Sequence, residues 1–361
     1  CIRLAHLSDA QKKAYVIADN KLALNAGWDE DLLRLEIESL KDLDIDLDLL
    51  GFDDNELKAL FEEDGPYADG VVGSMTDNFG QPPFSILDTR KKDWLDRKKV
   101  WRNLIGDNGE SREGTLAEDS IMSDMNNGVS LLDPVMAELI VAWFGKRNGL
   151  VIDPFAGDTV FGFVSGSLGM GFEGIELRKE QCDLNQKRTD DAGLPCKYHN
   201  DTSENIDKYL KNETADLMFS CPPYADLEVY SDDPNDLSNM AHDEFFDLYS
   251  KILGSTYRKL KNNRFAVVVM GEVRGKDGAY IGTIPKTIDC MEAAGYKYHN
   301  EIILVNSAGT LPLRAGKSMR SSRKVGKMHQ NILVFVKGDA KQGALEIGDI
   351  EIKLDFESDE S

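Results

Sequence analysis

The run Asp216-Leu217-Met218-Phe219-Ser220-Cys221-Pro222-Pro223-Tyr224 drives an apolar strand into two prolines and an aromatic ring. The prolines fix φ and remove two backbone donors, leaving their carbonyls as free acceptors. Such a turn suits a flat, amino-bearing ring: carbonyls accept from the exocyclic NH₂ while Tyr224 stacks on its face. A base amino group is a poor nucleophile because its lone pair is delocalised into the ring. Hydrogen bonds to the carbonyls near Cys221 and Pro222 favour a pyramidal nitrogen, and the rest is in-line displacement helped by positioning. Read with the earlier Asp153-Pro154-Phe155-Ala156-Gly157, the turn points to methyl transfer onto a base amino group.

That earlier segment follows a strand and precedes a helix, where open α/β sheets bind ligands. Gly157 lets backbone approach a ligand, and the helix N-terminus behind it favours a carboxylate. The next strand ends in Gly174-Ile175-Glu176, and an acid there can take both hydroxyls of a ribose. Asn200-Asp201, after a third expected strand, is placed to receive an adenine amino group. No Walker lysine follows the turn, which excludes a phosphate-transfer P-loop.

The elements that must carry these turns are legible in the pattern. Pro134 to Phe144 predicts an amphipathic helix with proline in its first turn, and Gly149–Asp153 a buried strand. Helices are predicted at 161–168, 180–192, 243–261 and 284–294, with strands at 171–175, 216–220, 264–270, 298–305 and 331–337. Strands alternating with helices predict an α/β, doubly wound and mostly parallel sheet, its last two strands paired antiparallel at the edge. Residues 8–64 read as helical, with a capped start at Ser8-Asp9-Ala10-Gln11. Residues 83–105 set Trp94 and Trp101 among basic residues: either a DNA-facing stacking segment or an arm that packs both rings on the core.

The formal net charge of −22 is unevenly spread. Residues 1–66 hold 17 acids against 7 bases, and 346–361 hold 7 acids and one lysine. Ile302–Gly338 has no acid and carries Arg314, Lys317, Arg320, Arg323, Lys324, Lys327 and Lys337. A local basic patch matters more for phosphate contact than overall charge. Within it Ser307–Met328, with Gly309, Gly316 and Gly326, reads as a flexible, phosphate-seeking loop that stays disordered without DNA, or else as a merely solvated hairpin. The five cysteines form no CxxC pair, which argues against a zinc ribbon and for a reducing cytosol. No membrane span or signal peptide is expected. The chain opens on Cys1 rather than Met, as a piece of a longer protein would.

The motifs resemble those of S-adenosylmethionine-dependent DNA amino-methyltransferases of the N6-adenine/N4-cytosine family, over roughly 120–338. Asp153–Gly157 is similar to their cofactor motif and Ser220–Tyr224 to their catalytic Pro-Pro-aromatic motif. Leu132-Asp133-Pro134-Val135 looks like the segment that closes over the methionine end of the cofactor. Phe79–Ser85 and Trp94–Lys99 resemble phage-type members. Residues 1–64, above all Leu7–Asn20, resemble the C-terminal half of a ParB-like domain whose first half is missing. Two positions depart from the pattern. Gly157 is followed by Asp158-Thr159-Val160 rather than Ser-Gly-Thr, so Asp158 sets a negative charge near the cofactor's carboxylate unless it points away. Cys221 stands where Asp, Asn or Ser is usual; either Ser220 substitutes for it or Ser220 lies beneath the turn. A thiol nucleophile like that of cytosine-C5 enzymes is the other reading of Cys221, but the Pro-Cys motif and partner acid are absent.

The resemblance implies a Rossmann-like methyltransferase domain at 121–340, behind a ParB-like part (1–66) and a linker with basic arm (67–120), and before an acidic tail (341–361). It implies catalytic roles for Ser220, Cys221, Pro222, Pro223 and Tyr224, and cofactor contacts by Asp133, Pro134, Asp153, Pro154, Phe155, Ala156, Gly157, Glu176 and Asp201. S-adenosyl-L-methionine is the expected cofactor, with no metal. Double-stranded DNA with a flipped base is the expected partner, contacted through Arg314, Lys317, Arg320, Arg323, Lys324 and Lys327. Asp226 or Glu228 is placed to receive the released proton, unless both are solvated loop acids. Gly271–Arg274 is expected to shape the base pocket. A homodimer, a cytoplasmic site in a bacterial host, a phage or prophage origin and a restriction-modification setting complete the expectations. The competing readings are an RNA or protein amino-methyltransferase, and a ParB-like DNA-binding protein with an inactive methylase fold.

Overall fold

A computed structural model describes residues 79–106, 132–223, 237, 240–275, 277–309, 311–350 and 352. The chain divides into two compact units, Cys1–Ser74 and Met75–Ser361. All described residues belong to the second, so the expected helices of 8–64 lie outside them.

Along the second unit run β1 (Ile86–Asp88), α1 (Lys92–Ile105), α2 (Pro134–Phe144), β2 (Leu150–Asp153), α3 (Val160–Ser167), β3 (Gly171–Glu176), α4 (Lys179–Asp191) and β4 (Cys196–Asn200). A 3₁₀ turn (Ser203–Lys208) precedes β5 (Ala215–Ser220). Then come α5 (His242–Lys259), β6 (Leu260–Met270), α6 (Thr283–Ala294), β7 (Lys297–Val305), α7 (Leu311–Ser322), β8 (His329–Lys337) and α8 (Ala340–Ile347). The helix starts have visible causes. Asp133 accepts from the amides of Val135 and Met136 ahead of Pro134, and Asp339 accepts from Gln342 N.

The strands make one sheet in the order β1-β7-β8-β6-β5-β2-β3-β4. All pairings are parallel except the two made by β8. Successive residues feed opposite faces: Val151, Leu217, Phe219, Val267 and Val334 pack on the side of α1 to α3, and Ile152, Met218, Val268 and Phe335 on the side of α5 and α6. Burial on both sides explains the unbroken apolar runs. The chain winds outward from β2 through β3 to β4, then returns to place β5 on the other flank of β2. That reversal is a topological switch point, where such sheets open a ligand crevice.

Three expectations change, and of the two readings of the arm the packed one holds. The final two strands do pair antiparallel, but β8 inserts between β7 and β6, and β1 forms the outer edge. The arm is part of the core: β1 extends the sheet, and α1 buries Trp94 and Trp101 completely. Their indole N–H groups donate to Asp133 Oδ1 (3.2 Å) and Glu138 Oε2 (2.7 Å). Arg97 and Lys98 are held against the same two carboxylates, so the arm's basic charge is partly neutralised within the fold. The basic segment is not loop throughout; it contains helix α7. The expected acidic tail begins with a docked helix, α8, whose Glu346 binds Arg264 at 2.7 Å.

Candidate active site at the tips of β2, β3 and β5

Because β2 and β5 are parallel neighbours, with Val151 opposite Leu217 and Ile152 opposite Met218, their carboxyl ends emerge side by side. Adjacent strands lie about 4.8 Å apart. The two motifs therefore leave the same edge of the sheet, and a hydrogen bond joins them: Ser220 Oγ donates to Asp153 Oδ1 at 2.9 Å, both residues being buried. Phe155 N donates to the same oxygen at 2.9 Å, which bends the chain into the turn. Burial pushes the Asp153 carboxyl up to about 7, and the nearby Glu176 and Asp158 charges add to the rise against the two hydrogen bonds. Ser220 thus lies beneath the Pro-Pro turn. Cys221 packs partly buried on the core, Pro222 is buried, and Pro223 is half-buried. Tyr224, Asp226, Glu228 and Tyr230 lie outside the described residues.

The turn after β2 is clipped to β3 by Ala156 N donating to Ile175 O at 3.0 Å. Gly157 sits at φ 55°, the left-handed region that favours glycine. A Cβ there would meet only the Phe155 carbonyl at 3.8 Å, so the side of the turn is open. Its amide donates to Glu176 Oε2 at 3.0 Å, and Arg178 N donates to Glu176 Oε1 at 2.8 Å. A nearly buried carboxylate bracketed by amides thus marks the tip of β3, beside an open turn. This arrangement can take a ligand's vicinal hydroxyls.

Several expected site residues also hold the scaffold. Asp158 does point away: it accepts from Leu132 N (3.1 Å) and Val160 N (2.9 Å), tying the Leu132-Asp133-Pro134 segment to the turn. Asp133 takes Trp94 and Lys98 besides its helix cap. Asp201 accepts from Thr202 N, Asn205, Lys208 and the Tyr209 hydroxyl. Burial opposes its ionised form, but these bonds prevail and hold its pKa far below the carboxylate norm. Pro154 O accepts from Ser203 Oγ, which fixes the 3₁₀ turn beneath the crevice. Glu272, expected to shape the base pocket, caps α6 by accepting from Gly282 N and Thr283 N, both at 2.9 Å.

The sequence reading missed a buried polar web under the turn. Asn185 Nδ2 donates to Gly157 O at 2.8 Å, while its Oδ1 accepts from Thr159 Oγ1 and Gln181 Nε2, both at 2.7 Å. Its signal was Gln181, Asn185 and Thr189, polar at every fourth position on the buried face of α4. Gly174 has a packing role that the pattern does not report. A Cβ there would stand 2.8 Å from that of Ala156, so only glycine lets β3 underlie the turn.

Residues 215–360 match the DNA methylase family of the N6/N4 type. Over that window the chain is similar to the N6/N4 DNA methylases. Its window opens at β5 and includes the Pro-Pro turn. Residues 31–81 match the ParB-methyltransferase HTH domain, which starts later and ends later than the 1–66 expected for the ParB-like part. No curated protein matches the chain. Among solved structures, TrmN from Thermus thermophilus is similar at 14% identity over 57% of this chain and 49% of its own, with a TM-score of 0.39; the chain spans about half of it. A TehB-like SAM-dependent methyltransferase from Corynebacterium glutamicum is 15% identical over 67% and 97%, TM-score 0.37. Geranyl diphosphate methyltransferase, solved with GPP and sinefungin, is 15% identical over 57% and 79%, TM-score 0.41. The methylase fold is Rossmann-like: a mostly parallel sheet covered by helices on both faces. Among the described residues no His, Cys, Asp and Glu cluster could hold a metal ion, and no helix is long and apolar enough to cross a membrane.

Proposed function

We propose that this chain moves a methyl group from S-adenosylmethionine to an exocyclic amino group of a DNA base, adenine N6 or cytosine N4. The observation that carries the proposal is the Ser220–Asp153 hydrogen bond, which joins the Pro-Pro turn to the Gly157 turn at one crevice. The residues present fit the cofactor. The open side of Gly157 and the helix behind it suit the carboxylate end, and Glu176 suits the ribose hydroxyls. Bound there, S-adenosylmethionine supplies an electrophilic methyl group on sulfur.

The chain's own residues do the rest. Carbonyls of Cys221 and Pro222 accept from the amino group and orient its lone pair across the crevice. Asp153 and Ser220 keep the two turns in register. Tyr224 stacks on the everted ring, offsetting the few kcal/mol lost when the base leaves the duplex; such stacking is worth roughly 1–3 kcal/mol per ring.

Labelled methyl transfer to mixed-sequence duplex DNA, with RNA and protein acceptors in competition, tests the proposal. Duplex DNA should take the label. Preferential labelling of RNA or protein would replace the substrate class, and no transfer despite cofactor binding would overturn the activity.

A further inference from the structure

We infer that α7 is a preformed docking helix for the phosphates of duplex DNA, set beside the crevice; this rests on the reading of the site as a DNA methylase. Its place follows from topology. Strand β8 is antiparallel to both β6 and β7, so the connection from β7 to β8 leaves and re-enters at the carboxyl ends of the parallel strands. That is the edge from which Gly157 and the Pro-Pro turn emerge. In the sheet order β8 is separated from β5 only by β6, which puts the root of α7 roughly 10 Å from the tip of β5 at ordinary strand spacing. A base turned out of a duplex held there would reach the Pro-Pro turn.

The helix has two unlike sides. Half-buried Leu311, Ala315 and Ser318 recur at helical spacing on one. Leu311 packs closely on the return segment: a Cβ on Gly326 would clash with it at 2.6 Å. The opposite side carries exposed Lys317 and Arg320 around a Leu313 that is 78% exposed, and exposed Arg323 follows. No residue of α7 is fully buried. Among the described residues, Lys317, Arg320, Arg323 and Lys324 have no carboxylate within ion-pair distance. Like charges one turn apart work against a helix, and a helix this short gains little stability by itself. A polyanion along that side removes the repulsion. In a chain of net charge −22, an acid-free basic helix at the mouth of the crevice is the surface complementary to a duplex backbone. The basic stretch is not uniform, however. Lys337 is buried and donates to the carbonyls of Tyr257 and Leu260, so it belongs to the core.

The test compares the full chain with its Lys317→Gln, Arg320→Gln, Arg323→Gln triple variant, binding a labelled duplex of mixed sequence across a salt series. These side chains are exposed, so the thermal midpoint should hold and serve as the folding control. Each lost phosphate contact lowers the slope of log affinity against log salt by about 0.9. Three lost contacts make the fall in affinity between 50 and 200 mM salt about 40-fold smaller. An unchanged slope overturns the docking role of α7, whatever the methyl-transfer assay shows. Tighter, equally salt-dependent binding of single-stranded RNA overturns duplex DNA as the occupant. A reduced slope on DNA without methyl transfer would leave the helix assignment standing and remove the catalytic one.

Discussion

Asp153 stands at the junction of the two turns, and its environment makes it testable. Its folded pKa, about 7, lies above the ordinary 3.8 chiefly because it is buried. A carboxyl raised in this way holds its proton more tightly when folded. Its contribution to stability is complete below about pH 4 and is lost as pH rises through 7. Asp153→Asn keeps an acceptor for Ser220 and Phe155 but cannot ionise. Its thermal midpoint should therefore fall less steeply than wild type between pH 4 and 7; parallel curves would contradict the burial argument. The division of labour at the crevice can also be measured. Glu176→Ala should weaken S-adenosylmethionine binding by about 10- to 100-fold, the worth of hydrogen bonds to a charged group, with a smaller effect on the transfer step. Tyr224→Ala should do the reverse. Titration calorimetry beside single-turnover rates separates the two, and equal effects would deny separate roles.

At the scale of elements, most of the architecture was legible because local signals agreed. Helix α2 begins and ends where expected, since Asp133 and Pro134 start it and Gly145 closes it. The strand tips bearing Gly157, Glu176 and the Pro-Pro turn were readable from apolar runs broken by glycine or proline. Helix α1 was harder to read: its five basic residues nearly match its six apolar ones, and only Trp94, Trp101 and Ile105 show its buried face. Three-residue β1 is too short to have a period. Helix α7 is not legible as a helix, because Gly316 and its serines weigh against one. Contacts such as that of Asp158 with Leu132 join segments distant in sequence, and local pattern does not report them.

Two packing predictions follow from this scale. A Cβ on Gly162 would collide with the Tyr198 hydroxyl, a buried group without a hydrogen-bond partner among the described residues. Gly162→Ala should cost about 1–3 kcal/mol of stability, and Tyr198→Phe in the same chain should recover part of it in denaturant unfolding, the contacts with the ring carbon of residue 198 and with Phe172 remaining. No recovery would place the strain elsewhere. At the amino end of β5, buried Asp216 holds Arg264 Nε at 3.1 Å and Lys261 at 2.7 Å. Asp216→Ala removes one of the two carboxylates that hold the buried Arg264, Glu346 remaining, and should cost about 1–3 kcal/mol. The methyl-transfer rate per folded molecule should not change, because this network lies at the opposite edge from the crevice. A rate loss exceeding the loss of folded protein would contradict that separation.

For the whole molecule, charge is sorted by position. The acidic excess lies in residues 1–66 and 346–361, while the basic helix stands at the carboxyl edge of the sheet. On the proposed reading, this helix draws a polyanionic substrate to the edge where both motifs emerge. The central claim is that a methyl donor and an everted base meet there, over neighbouring strand tips. The most direct measurement is to incubate the chain with duplex DNA and isotopically labelled S-adenosylmethionine, digest the DNA to nucleosides and identify the labelled one by mass. The account predicts the label on N6 of deoxyadenosine or N4 of deoxycytidine. Label on carbon 5 of cytosine, or none with cofactor binding intact, would contradict it.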